Sequence, residues 1–275
     1  MTKHSSNRDL TNDRNVYGYG IPDAAASVKD VLGKSNSLQL VNRVTPLFSF
    51  TSSTALDSFY TTSPQMAMAA MYGAMQPQPS AGTVNWVSIG ADTPGYRSFP
   101  KPGFWWSEVP KANAYIMTTH RNPFIVGAEL DPLYRLSRQR THGSNNKNVD
   151  HTYTTSQYEM NSYVADDYQL DGIEGYIFPY QETGTVRLYR RYNPTRDDHA
   201  IFPESMLSYM NSQGYTQNGK LLGYVYPNQD SDWDGLVDGF EMVVGTSISD
   251  RDSDDEGVTD GDEVNKYPYG DPLVP

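Results

Sequence analysis

Asp230, Asp232, Asp234, Asp238 and Glu241 fall at positions 1, 3, 5, 9 and 12 of a twelve-residue stretch that has Gly235 at position 6. That is the EF-hand-type spacing: carboxylate oxygens converge on one cation, the glycine permits the sharp turn, and Leu236 at position 7 offers its backbone carbonyl. Twenty-two residues on, Asp252, Asp254, Glu256, Gly257, Val258, Asp260 and Glu263 repeat the pattern, with Glu in place of Asp at position 5. Hard oxygen ligands in this number suit Ca2+, and two ions are expected. An acidic run is ordinarily a solvated or disordered tail. Five carboxylates and a glycine in register, twice over, argue instead for the metal.

A second constellation is Asp150-His151 and Asp198-His199, an acid beside a base at the same point of two repeats. General-base chemistry needs a nucleophile and an orienting partner within reach, and the sequence offers only generic Ser and Thr. An earlier repeat has Asp57-Ser58 there, without the imidazole. The expected role is structural, a turn aspartate with a histidine bonded to backbone, and no catalytic residue is assigned. His4, His120 and His142 show no ligand spacing, so no zinc site is inferred. With no cysteine there is neither a disulfide framework nor a thiol nucleophile.

Aromatic residues are the third candidate. Tyr134, Tyr176, Tyr189, Tyr192, Tyr224 and Tyr226 recur at strand-like positions. Such rings can form a core or stack on sugars. Trp105 and Trp106 are the best candidates for ligand contact, because adjacent residues on a strand face opposite sides.

These residues are carried by a repeating body and a tail. One unit runs from Pro132 to Pro179 and the next from Val186 to Pro227; a diverged unit opens at Pro46 and is expected to close near Phe99 with GYRSFP. Each reads as a strand, a turn, a second strand, a short helix and a closing strand. Ser156 followed by Glu159 is a capping box, and Ser63-Pro64 sets a cap before Pro at the first helical position. AYIMTTHRNP, within an irregular stretch from Phe104 to Leu130, echoes the SFYTTSPQM of the first unit. The expectation is a mainly β fold with short helices: a polar leader and helix over 1–40, a Tyr-rich pseudo-symmetric repeat domain over 44–227, and a calcium-binding tail over 228–275. One unit of about 45 residues cannot bury its own core, so the units are expected to pack around a pseudo-threefold axis.

The net charge of −12 belongs to the tail. From Asn228 onward lie 14 of the 33 acidic residues and 2 of the 21 basic ones, which leaves the rest with 19 of each. A neutral body with an acidic tail gives no footprint for nucleic acid. No stretch is apolar enough to span a membrane, and MTKHSSNRDL has no apolar core from which to make a signal peptide.

The tail, DSDWDGLVDGFEMVVGTSISDRDSDDEGVTDGDEV, resembles the thrombospondin type 3 repeats of bacterial secreted proteins. Dockerin modules also carry two such loops, but usually close them with Asp, where Glu241 and Glu263 stand here. YGYGIPDAAASVKDVLG, Tyr17 to Gly33, resembles the last helix of subtilisin-like serine protease domains, though the motifs that carry that family's chemistry are absent; Gly245-Thr246-Ser247 reads as a linker. The middle units resemble a bacterial repeat family of unknown function with the consensus PLYRLYNP, DHFYTTS and EGIAGYVYP, found beside secreted hydrolases and adhesins. Together these imply a secreted or cell-surface, non-catalytic accessory region of a protease, targeting a protein substrate or a cell-surface polysaccharide. The alternatives are a self-assembling structural module, of a filament or surface layer, and a dockerin-like attachment tail.

Overall fold

The three units recognised by their sequence become three copies of one strand arrangement. The computed structural model describes residues 43–53, 55–71, 86–89, 110–142, 146–265 and 272–273. The chain divides into Met1–Asn42 and Arg43–Pro275, and all described residues belong to the second. The N-terminal helix expected at 17–33, Trp105 and Trp106 lie outside them.

The first unit contains β1 (Val44–Ser52), β2 (Asp57–Thr61), helix α1 (Pro64–Met71), the short β3 (Val87–Ile89) and β4 (Ala112–Met117). The second contains β5 (Asp131–His142), β6 (Asn146–Thr154), α2 (Gln157–Ala165) and β7 (Gln169–Ile177). The third contains β8 (Val186–Asn193), β9 (Asp198–Pro203), α3 (Leu207–Ser212) and β10 (Gln217–Pro227). Two further helices, α4 (Asp238–Val244) and α5 (Asp260–Asn265), belong to the tail. All the strand pairings are antiparallel, and the fold is mainly β with short helices. Among the described residues no helix is long and apolar enough to cross a membrane.

In every unit the first strand pairs on one side with the second and on the other with the closing strand. The register is the same each time: Phe48 faces Thr61, Tyr134 faces Thr154 and Tyr189 faces Phe202. The closing strands then pair with one another in a cycle. Met117 of β4 faces Tyr176 of β7, Phe178 after β7 bridges to Tyr224 of β10, and Tyr226 of β10 faces Tyr115 of β4. That crossing explains the glycine in GYIFP and GYVYP. A Cβ on Gly175 would lie 2.7 Å from the Met117 carbonyl oxygen, and one on Gly223 would lie 2.6 Å from that of Phe178.

The first unit closes with a different segment from the one its sequence suggests. The strand that pairs with β1 as β7 does with β5 is β4, so AYIM is the counterpart of GYIF and GYVY, not an echo of the second strand. Ala114 stands where the other units have glycine, and this masks the likeness.

Three repeat positions supply much of the core. Leu47, Leu133 and Leu188 from the first strands, Tyr60, Tyr153 and Ile201 from the second, and Ile116, Ile177 and Val225 from the closing strands are all buried, and all but Tyr60, Tyr153 and the three leucines come from β-branched types that suit a pleated sheet. They form one cluster shared by all three units. The helix caps behave locally. Ser63 Oγ accepts the Met66 N–H at 3.3 Å, and Ser156 Oγ accepts that of Glu159 at 3.3 Å. Glu159 does not return the bond to Ser156 as a capping box would. Its carboxylate instead receives Arg190 and Lys220, each at 2.6 Å, and the Thr154 hydroxyl.

Candidate functional site

The tail leaves β10 and winds twice through the same loop. In the first, Asp230 accepts the N–H groups of Trp233 at 2.7 Å and Gly235 at 3.1 Å; in the second, Asp252 accepts those of Glu256 at 3.1 Å and Gly257 at 2.6 Å. Gly235 and Gly257 sit at φ 101° and 96°, the left-handed region that glycine enters without steric cost. Trp233 and Asp255, at position 4 of each loop, are also left-handed, at φ 67° and 62°. Sequence reasoning had no signal for that. Each loop is tied across its ends, Asp238 N–H to the Gln229 carbonyl at 2.8 Å and Asp260 N–H to that of Arg251 at 2.9 Å.

The acidic side chains gather as their spacing requires. Asp230, Asp232 and Asp234 offer oxygens within 4.8 Å of one another, as do Asp254, Glu256 and Glu263. Glu241 is 0% exposed and Glu263 2%, yet neither oxygen of either carboxylate has a hydrogen-bond partner. Burial pushes Glu241 up to about 8, helped by the charges of Asp232 and Asp234. Burial likewise lifts Glu263 to about 7, with Asp254 and Glu256 adding to it. Asp234 rises to about 6 for the same first reason, against the N–H groups of Leu236 and Gly261 that favour its charged form. Buried carboxylates are ordinarily paired. These clusters have the donor set that can hold a hard cation.

Asp238 and Asp260 behave differently from the other loop acids. Both oxygens of Asp238 are taken by Ser231, its N–H at 2.8 Å and its hydroxyl at 2.8 Å. Asp260 is held in the same way by Ser253, at 2.9 and 2.6 Å. Leu236 is buried and Val258 half-buried. Leu236 N–H donates to Asp234 at 2.7 Å.

The second glycine of each loop, Gly239 or Gly261, docks it. Phe240 packs edge-on against Tyr226 and Tyr115, with ring centres 4.8 and 5.4 Å apart. A Cβ on the neighbouring Gly239 would lie 2.6 Å from the Gly184 carbonyl oxygen of the body. One loop later, a Cβ on Gly261 would lie 2.5 Å from the Asp234 carbonyl oxygen, and the Gly261 N–H donates to Asp234 Oδ2 at 2.7 Å. The first loop is thus seated on the body, and the second on the first.

The Asp-His pairs meet at the centre of the body, where β2, β6 and β9 pack on one another. Asp57 accepts the His151 N–H at 3.0 Å and faces its Nδ1 at 2.6 Å. Asp150 lies 3.5 Å from His199 Nδ1 and accepts the Tyr168 hydroxyl. Asp198 accepts the Ser58 N–H at 3.1 Å and hydroxyl at 2.8 Å, and the Tyr215 hydroxyl. Each unit therefore hands its aspartate to the next, and the third hands back to the first. His151 bonds through its ring to a carboxylate, not to the backbone group expected from sequence, and the His199 ring faces one at 3.5 Å. All three aspartates are fully buried, with oxygens within 4.8 Å of one another. Three carboxylates face two imidazoles and one serine. The one facing the serine, Asp198, is held well above the usual carboxylate range by burial and by the charge of Asp57, against the hydroxyls of Tyr215 and Ser58.

The repeated tyrosines divide between core and rim. Tyr226 is wholly buried, Tyr134 and Tyr189 pack half-buried on the core clusters, Tyr192 donates to Asp197 at 2.6 Å, and Tyr176 and Tyr224 are half-buried. Among the described residues the exposed aromatics are others: Phe124, Tyr158, Tyr180, Tyr209 and Trp233. His120 lies beside Tyr176, ring centres 6.0 Å apart; His4 is outside the described residues.

Residues 116–226, the end of β4 with the second and third units, match a family model described as a domain of unknown function (DUF5648). No curated protein and no solved structure matches the chain.

Proposed function

We propose that this chain is a non-catalytic accessory region of a secreted, subtilisin-like protease, and that its three-unit body targets the enzyme to a polysaccharide-bearing surface while Ca2+ in the two loops staples the tail to that body. The observation that carries the calcium assignment is the pair Glu241 and Glu263, buried at position 12 of each loop with both carboxylate oxygens unpartnered. Position 12 is where an EF-hand-type loop supplies its bidentate ligand. Asp230, Asp232, Asp234, Asp252, Asp254 and Glu256 complete the oxygen set, and Asp238 and Asp260 orient the loops through Ser231 and Ser253. Each ion supplies the positive charge that offsets the like charges brought together by folding.

The absence of catalysis is supported by the state of the Asp-His ring. Its carboxylates are engaged by the neighbouring unit, and its serine is buried and donates to Asp198. That leaves no activated nucleophile there. Targeting is supported by the exposed aromatics Tyr158, Tyr180 and Tyr209 on the body, since amphipathic rings serve recognition surfaces.

Affinity gels of insoluble polysaccharides, run in millimolar calcium and again in chelator, test the whole reading. Retention that depends on the folded body, with two calcium ions per chain by calorimetry, is expected. A chain that takes up no calcium and is retained on no polysaccharide overturns it.

A further inference from the structure

Where β4 ends, a cavity of about 430 Å³ opens between Arg43, Thr118, Thr119, His120, Arg121 and Tyr176. Its lining carries two guanidinium groups, an imidazole, two hydroxyls and a phenol ring, and no acid. The walls are fixed by backbone bonding. Thr118 donates its N–H and its hydroxyl to the Arg43 carbonyl, at 2.7 and 3.0 Å. Leu130 N–H donates to the His120 carbonyl at 2.7 Å, and Arg121 pairs through its backbone with Glu129. Within this frame the Thr119 hydroxyl oxygen is buried and has no hydrogen-bond partner, which in a native structure calls for an explanation such as a ligand group.

We infer that this cavity binds a carboxylated sugar unit of an acidic polysaccharide. The inference rests on the targeting reading above and names its ligand. The volume falls in the range of small-molecule sites, roughly 300–1,000 Å³. Arg121, exposed at the mouth, presents a planar fork that matches a carboxylate in two-point geometry. The rings of His120 and Tyr176, 6.0 Å apart and tilted by 59°, each give an amphipathic face against which a sugar ring can pack. Thr119 supplies the hydrogen bond to a ring hydroxyl. A bare oxyanion would use the guanidinium and leave the two rings and Thr119 without a function.

Calorimetry on the full chain, at constant saturating calcium, decides the matter with four probes: glucuronic acid, a short glucuronate-containing oligosaccharide, a glucose oligomer of equal length, and inorganic phosphate. Uronate binding that strengthens with the oligosaccharide, falls at least tenfold in Arg121→Ala and several-fold in Thr119→Val, and weakens with salt is expected. Unchanged thermal unfolding of both variants separates lost binding from lost fold. Equal binding of the glucose oligomer, phosphate binding as tight as the uronates, or no effect of Arg121→Ala overturns the inference. Retention on intact polysaccharide that survives Arg121→Ala removes the cavity and leaves the targeting reading standing. A wild-type chain that binds no glycan in any format removes both.

Discussion

Asp57 holds His151 at two points, the backbone N–H at 3.0 Å and Nδ1 at 2.6 Å, across 94 residues of chain. The contact joins the first unit to the second, and it is the only acid among the three that meets its histidine this closely. Asp57→Ala leaves a buried imidazole and a buried N–H without their acceptor. A loss of about 3–5 kcal/mol is expected, as when one partner of a buried pair is removed. Ser58→Ala removes only the hydroxyl from Asp198 and should cost about 1–3 kcal/mol. Urea unfolding checks both, and equal, negligible losses would show that the ring does not hold the units together.

Calcium binding should depend on position 12 more than on position 9. Glu241→Gln removes a ligand charge that nothing else engages, whereas Asp238→Asn perturbs a carboxylate already committed to Ser231. The first change should therefore weaken one of two sites far more than the second does. Folded without metal, Glu241 and Glu263 titrate near 8 and 7, so binding at pH 7 should release protons and affinity should fall as pH drops. Calorimetry in buffers of different ionisation enthalpy reads both effects. Uptake unaltered by Glu241→Gln and Glu263→Gln together sinks the assignment.

Phe240 couples the tail to the body. Phe240→Ala removes the ring seated on Tyr226 and Tyr115, a loss of about 3–5 kcal/mol in a buried site. In the wild type, calcium at 100-fold excess over its dissociation constant should raise stability by about 2.7 kcal/mol per independent site. In the variant that gain should no longer reach the body. Thermal unfolding followed by near-UV dichroism, with calcium and with chelator, makes the comparison.

Glu159 predicts an acid limb of opposite origin. Burial alone would raise it, but Arg190, Lys220 and Thr154 outweigh burial and hold it at about 2, against 4.5 for the free side chain. A depressed folded pKa stabilises above the unfolded value, and that contribution is lost as pH falls from about 4.5 toward 2. At about 1.4 kcal/mol per pH unit the loss is at most about 3.5 kcal/mol, and solvent screening around the partly exposed Lys220 makes it smaller. Glu159→Gln should be less stable than wild type at pH 7 and converge with it at pH 2. Curves that stay parallel throughout would falsify the linkage.

Catalysis should be absent. Purified protein should hydrolyse neither casein nor serine-protease peptide substrates; turnover abolished by His151→Ala or His199→Ala would reverse the reading.

The two acidic loops were legible in the sequence because their residues are local: twelve positions hold the whole pattern. The role of Gly239 and Gly261 was not, because it depends on a carbonyl from another element in each case. The ring was half legible. Asp57-Ser58, Asp150-His151 and Asp198-His199 could be aligned, but their partnership across units follows from the arrangement of strands around an axis. The first unit's closing strand was misplaced because Ala114 replaces the glycine that marks the other two. Its tyrosine, Tyr115, matching Tyr176 and Tyr224, was the signal that remained. The cavity draws on residue 43, on 118–121 and on 176, and no pattern in the chain joins them.

The cycle of closing strands has a consequence for chain connectivity. β1 begins at Val44 opposite Met117, and β10 ends at Pro227 opposite Ala114, on the two sides of β4. Strand spacing puts those ends roughly 14 Å apart, within reach of a short linker. Since every unit passes an aspartate to the next and receives one in return, no unit is first. A gene that starts at the second unit and runs through the third into the first would keep the contacts among the three units, at the cost of the tail's direct continuation from β10.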